Sequence, residues 1–159
     1  MRSRPMGRGT ARRFGKIGRG VYILLIEVWG EIPIGRLGVR RFAGCYAYVG
    51  SAQGPGGFRR LLRHHQVAAG AHPARRWHID ALLARGVWRG AFVLETGERG
   101  IECALARRLA RILPPAVPGF GSSDCRCPTH LFVVPNAEAL SSALAAMGLQ
   151  PFFLAGGEG

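Results

Sequence analysis

The chain has 159 residues, 48% of them hydrophobic, which is enough for one domain with a substantial core. No apolar run reaches the length of a bilayer span, no cleavable hydrophobic stretch follows the basic start, and four cysteines are too few for a disulfide framework, so neither a membrane protein nor a secreted one is expected and a reducing cytoplasm is the expected setting. The formal net charge of +13 favours a polyanionic partner, nucleic acid ahead of an acidic membrane surface.

Residues 1–19 carry Arg2, Arg4, Arg8, Arg12, Arg13, Lys16 and Arg19 with no acid, so they supply +7 of the +13. Their Arg/Gly composition predicts a disordered basic tail, with Met6 as another possible start. A single domain is expected over 20–150, with a loose tail at 151–159. Residues 20–28 are β-branched and aromatic on both faces, which predicts a central strand. Trp29-Gly30-Glu31 reads as a turn, 32–37 as a returning strand weakened by Pro33 and Gly35, 38–41 as a second turn, and 42–51 as a third strand of an antiparallel meander.

After the Gly54-Pro55-Gly56-Gly57 turn, residues 57–67 read as a helix. Phe58, Leu61, Leu62 and His65 form its expected core stripe, with Arg60, Arg63 and His64 together on the opposite, cationic face. His72-Pro73 opens a second helix over 74–85, with Trp77, Ala81 and Leu82 or Leu83 inward and Gly86 as its C′ residue. A strand is predicted over 87–95 and a helix over 99–113, striped by Ile101, Leu105, Leu109 and Ile112 and stopped by Pro114-Pro115. A loop over 119–129, a short edge strand over 130–134 and a helix over 137–147, capped by Asn136 and ended by Gly148, complete the pattern.

Four sets of residues can carry chemistry. Tyr22 and Tyr48 each lie in a strand near a glycine, and period-2 alternation can project both phenols from one face if the strands are neighbours. The alternative is a pair of core or rim tyrosines bonded to backbone. The guanidinium groups of the 57–67 helix match phosphate oxygens, or else form a solvated face. Glu102 stands beside an apolar stripe, where a carboxylate can hold a divalent cation, or can simply favour a helix N-terminus. Cys125-Arg126-Cys127 followed by His130 invites a structural zinc reading with a fourth ligand such as Cys103 or His78. The C-x-C spacing is short for that, and a tight loop with buried thiols is favoured.

Taken together, these residues resemble the GIY-YIG nuclease superfamily, with Gly20-Val21-Tyr22 and Tyr48-Val49-Gly50 as the two halves of its name motif. The chain is most similar to the small stand-alone branch of Uri-type endonucleases, or DUF123 proteins. That likeness extends through Gly54-Pro55-Gly56-Gly57, Trp77-His78-Ile79-Asp80, Glu102-Cys103 and the stretch from Gly119 to Phe132. It implies an α/β (α+β) fold, a small antiparallel sheet flanked by helices, here with an inserted β-hairpin. It also implies phosphodiester hydrolysis with one Mg²⁺ or Mn²⁺ on Glu102. In that scheme Tyr22 or Tyr48, directly or through His64, activates water, and Arg60 neutralises phosphoryl charge. Arg60 is preferred over Arg59 and Arg63 because it keeps the Arg-x-x-Arg-His spacing. The expected substrate is DNA ahead of RNA, with Arg36, Arg40, Arg41, Arg59 and Arg63 as further nucleic-acid contacts. Three departures stand out: a long interval between Tyr22 and Tyr48, Ser51 where many members have lysine, and Ser122-Ser123-Asp124 near the place of a supporting asparagine. The last two favour, as the alternative, a binding module with little or no turnover.

Overall fold

The computed structural model describes residues 18–71, 77–122 and 126–153. Of the expected features, the basic tail to residue 17, the opening of the second helix at 72–76, and Asp124 and Cys125 lie outside them. The described residues form a five-stranded antiparallel sheet flanked by helices. In chain order the elements are β1 (Gly20–Pro33), a 3₁₀ turn (Gly35–Leu37), β2 (Val39–Ala52), α1 (Arg59–Ala68), α2 (His78–Leu83), β3 (Val87–Glu95), α3 (Ile101–Ala110), β4 (Leu131–Val133), α4 (Ala137–Ala146) and β5 (Gln150–Pro151). The sheet order is β4-β2-β1-β3-β5.

The meander expected between residues 20 and 51 is one long hairpin. Trp29, Gly30 and Glu31 do not turn; they pair with Ala43, Phe42 and Arg41 in unbroken register. Gly30 is a turn signal by residue type, but its φ of 107° is absorbed inside the strand. The extra residues therefore form a hairpin as an extension of β1 and β2, closed by the 3₁₀ turn. Ile32, Ile34 and Phe42 bury their side chains and anchor that extension to the core.

Alternation along β1 divides the interior into two layers. Tyr22, Leu24, Ile26 and Val28 face one side, where α1 and α2 deliver Leu61, Val67, Ile79, Leu82 and Leu83. Val21, Ile23 and Leu25 face the other, against Leu105 and Leu109 of α3 and Leu140 and Leu144 of α4. This explains why residues 20–28 read as apolar on both faces. Asn136 caps α4 as expected, its side chain accepting from the Ala139 N–H at 2.9 Å.

Two stripe assignments change, and so does the reading of Gly86. In α1 the buried residues are Leu61, His64 and Val67, while Leu62 is exposed. Beyond α3, which ends at Ala110, Ile112 points outward and Leu113 takes the inward place. Gly86 has no left-handed conformation to explain it. It is needed because a Cβ there would stand 2.7 Å from the Glu27 carbonyl oxygen. The loose tail also starts later than expected: Pro151 belongs to β5, and Phe152 is buried with its N–H bonded to the Ala91 carbonyl at 2.8 Å. Among the described residues, no helix is long and apolar enough to cross a membrane.

Candidate active site

Tyr22 pairs with Gly50 and Leu24 with Tyr48 across the β1–β2 ladder, so the two tyrosines are diagonal neighbours on one sheet face. Their ring centroids are 6.3 Å apart. Gly50 makes this possible, because a Cβ there would sit 2.4 Å from the Tyr22 ring and hydroxyl. Gly121 does the same for the other ring: its φ is 69°, and a Cβ would meet Tyr48 at 2.9 Å. Phe120 closes the outer side with an edge-on contact to Tyr48.

The helical face expected to display three cations is divided by the fold. His64 turns into the core, fully buried, with Nε2 2.8 Å from the Tyr22 hydroxyl. Its Nδ1 has no hydrogen-bond partner among the described residues. Arg60 stays at the boundary, where its guanidinium donates to the Ser51 carbonyl at 2.7 Å. Arg63, expected to contact nucleic acid, is instead paired with the buried carboxylate of Asp80, the shorter contact being 3.1 Å. Asp80 also accepts from the Trp77 backbone N–H, and Trp77 lies under both guanidinium groups, 4.8 Å from Arg60 and 4.4 Å from Arg63. Trp77, Asp80 and Gly50 are thus builders of the site to which sequence reasoning assigns no catalytic or binding role. Their one signal in the sequence is their position inside the motif stretches.

Glu102 reaches the same region from the first turn of α3. Its Oε2 lies 3.2 Å from His130 Nδ1, which is also 3.2 Å from the Val49 carbonyl oxygen. The Glu102 side chain is 30% exposed and is close enough to both phenols to affect their ionisation. Burial pushes Tyr22 well above its ordinary value near 10; Tyr48 and Glu102 push the same way and Arg60 opposes them. Burial, then Glu102, raise Tyr48 as well, again against Arg60. His64 moves the other way, down to about 3, chiefly through burial, with Arg63 and Arg60 adding to the effect and Asp80 opposing it. The resting cluster therefore presents neutral phenols and a neutral imidazole beside the side chains of Arg60 and Glu102.

The remaining expected residues lie elsewhere. Arg36, Arg40 and Arg41 are exposed at the hairpin end, with Arg40 donating to the Leu37 carbonyl and Arg41 paired with Glu31. Arg59 is exposed on α1. His78 is engaged with the Gly121 N–H and sits against Phe120. Cys127 and His130 do come together, and Cys103 joins them.

The fold and this cluster define an α/β domain whose conspicuous feature is a tyrosine–histidine–arginine–glutamate group at the open end of its central hairpin, where β1 begins and β2 finishes. A family model described as "Domain of unknown function DUF123" matches residues 21–150, and the chain belongs to that family. No curated protein and no solved structure matches it.

Proposed function

We propose that the chain is a metal-dependent endonuclease of the GIY-YIG superfamily that hydrolyses phosphodiester bonds, with DNA as its substrate. The observation that carries this reading is the 2.8 Å contact between the Tyr22 hydroxyl and His64 Nε2, made beside Arg60 and within the electrostatic reach of Glu102. A core tyrosine needs one hydrogen-bond partner; it does not need a second phenol, a guanidinium and a carboxylate around it.

Glu102 is the residue that would hold the divalent ion. One carboxylate, with the other positions left to water and phosphate oxygens, is a donor set that Mg²⁺ takes, and Mn²⁺ is similarly suited. The bound ion would neutralise charge on the phosphoryl group and leaving oxygen. The chain's own residues do the rest. The tautomer with Nδ1–H presents Nε2 of His64 as an acceptor for the phenolic proton. As water attacks phosphorus, its proton passes to the Tyr22 oxygen while the Tyr22 proton passes to Nε2. The new O–P bond forms and the leaving oxygen departs with its electron pair. Protonated His64 is unfavourable in this buried place unless an anion is near, so the relay is armed by the phosphodiester itself. Arg60, fixed by the Ser51 carbonyl and Trp77, offers its remaining N–H groups to the phosphoryl oxygens.

One observation favours a second reading, binding without turnover: Ser51 stands where many members of the superfamily have lysine, and its carbonyl is taken by Arg60. The test separates the two. Supercoiled DNA and structured RNA are incubated with the protein in Mg²⁺ or Mn²⁺, with Glu102→Ala and Arg60→Ala as controls. The expected result is metal-dependent nicking of DNA, reduced by a factor on the order of 100 or more in each variant. Binding with no nicking in any metal supports the second reading. Nicking that persists in both variants removes this site assignment.

A further inference from the structure

The side chains of Cys103 and Cys127 and one ring nitrogen of His130 offer ligand atoms that all lie within 4.8 Å of one another. The three come from separate places: Cys103 from the first turn of α3, Cys127 from the segment before β4, and His130 from the residue that leads into β4. The orientation of His130 is specific. Its Nδ1 lies 3.2 Å from two oxygens, Glu102 Oε2 and the Val49 carbonyl, and in the tautomer that donates from Nδ1 the other ring nitrogen is the one able to ligate an ion. A carboxylate behind the imidazole, fixing its tautomer, is the arrangement that orients a histidine toward a metal ion.

We propose that Cys103, Cys127 and His130 form a Zn²⁺ site that fastens the segment leading into β4 onto the start of α3. Two thiolates and an imidazole are ligands that Zn²⁺ favours over Mg²⁺ or Mn²⁺, so the site differs in chemistry from the carboxylate of Glu102. Binding displaces two thiol protons, and the two thiolates balance the charge of the ion. The described residues supply three ligands, leaving the fourth position of a tetrahedral ion to a further donor.

The location gives the ion a task. Between α3 and β4 lie some twenty residues, of which the described ones form no helix or named strand. The described part is held at its neck by the Gly119 N–H to the Pro128 carbonyl at 2.7 Å and the His130 N–H to the Phe120 carbonyl at 2.8 Å. Stretches of that length are uncommon in compact domains unless they are functional or tied down. This one carries Phe120 and Gly121, which pack against Tyr48. A metal joining Cys127 and His130 to α3 would set Tyr48 and Glu102 together from outside the phenol cluster. The site stands whether or not the chain cuts nucleic acid.

The test is elemental analysis of the full chain purified under reductant, followed by replacement of the ion with Co²⁺ as a spectroscopic probe. The expected results are about one zinc per chain and a thiolate-to-cobalt charge-transfer band. In Cys103→Ser and Cys127→Ser the band should weaken and zinc affinity fall by well over 10-fold. Glu102→Gln should retain the band but weaken binding by about 10- to 100-fold. The wild type decides the matter even if a variant fails to fold. No stoichiometric zinc together with no cobalt band overturns the proposal, as does a Cys103–Cys127 disulfide found in place of metal. A band unchanged in both cysteine variants also overturns it.

Discussion

His64 shows how one side chain can alter the meaning of a helix. A wheel drawn for α1 by hydrophobicity chooses Leu62 and leaves His64 among the cations. The folded chain chooses His64, because the Tyr22 hydroxyl waits on that side and can satisfy Nε2. That burial has a measurable consequence. With the folded-state value near 3 and an ordinary value of 6.5, the unfolded chain binds the proton first as pH falls. Stability linked to His64 is therefore fully present above about pH 6.5 and is lost progressively as pH drops toward 3. Between pH 7 and pH 5 the loss is about 2 kcal/mol, at roughly 1.4 kcal/mol per pH unit below the unfolded value. Urea unfolding at the two pH values should show this difference in the wild type, and His64→Leu should be less pH-sensitive by about that amount. An equal pH dependence in both proteins would mean that His64 is protonated in the fold. Gly50 gives a second check at this scale. Its replacement by alanine pushes a methyl group into the Tyr22 ring, an overpacking cost of about 1–3 kcal/mol in urea unfolding.

Elements are legible in the sequence where their pattern is local. The strand at residues 20–28, the helix α3 and the Asn136 cap follow from β-branched content, apolar spacing and a side chain that can accept from a free N–H. What cannot be read there is set by partners far along the chain. Trp29 to Glu31 continue a strand because Arg41 to Ala43 are there to pair with them. The last two-residue strand exists because β3 offers an open edge. The motif residues Tyr22, Tyr48, Arg60 and Glu102 do gather as neighbours, yet Arg63 cannot be told from Arg60 without seeing Asp80, seventeen residues on. The Arg63–Asp80 pair links α1 to α2 across an acid with no exposed side-chain surface. Removing the arginine takes the guanidinium away from that buried acid. Arg63→Ala should cost about 3–5 kcal/mol in chemical denaturation, and adding Asp80→Asn should recover part of it. If the double variant is no more stable than the single one, the pair is not the tie between these helices.

Across the whole molecule, the proposed function has the excess of cations face nucleic acid, and one place for that contact is the closed end of the hairpin. Its 3₁₀ turn rests beside the loop that flanks Tyr48, since Leu37 lies against Gly119, where a Cβ would stand 3.4 Å from it. Arg36 lies in that turn and Arg40 and Arg41 follow it, all three exposed, with the exposed Trp29 further along the same hairpin. None of the three is buried in the core: among the described residues Arg40 bonds to the local Leu37 carbonyl, and Arg41 makes an exposed pair with Glu31. Exposed pairs of this kind contribute at most about 1 kcal/mol. Replacing all three arginines with alanine should therefore leave the thermal midpoint nearly unchanged while weakening nucleic-acid binding. Every phosphate that is no longer neutralised should reduce the slope of log affinity against log salt by about 0.9, so the triple variant should be shallower by as much as about 2.7 on duplex DNA. Glu102→Gln leaves the number of cations facing phosphate unchanged, and its slope should match the wild type. If the triple variant keeps the wild-type slope, the duplex does not run along the hairpin, and the cations elsewhere on the chain carry the binding.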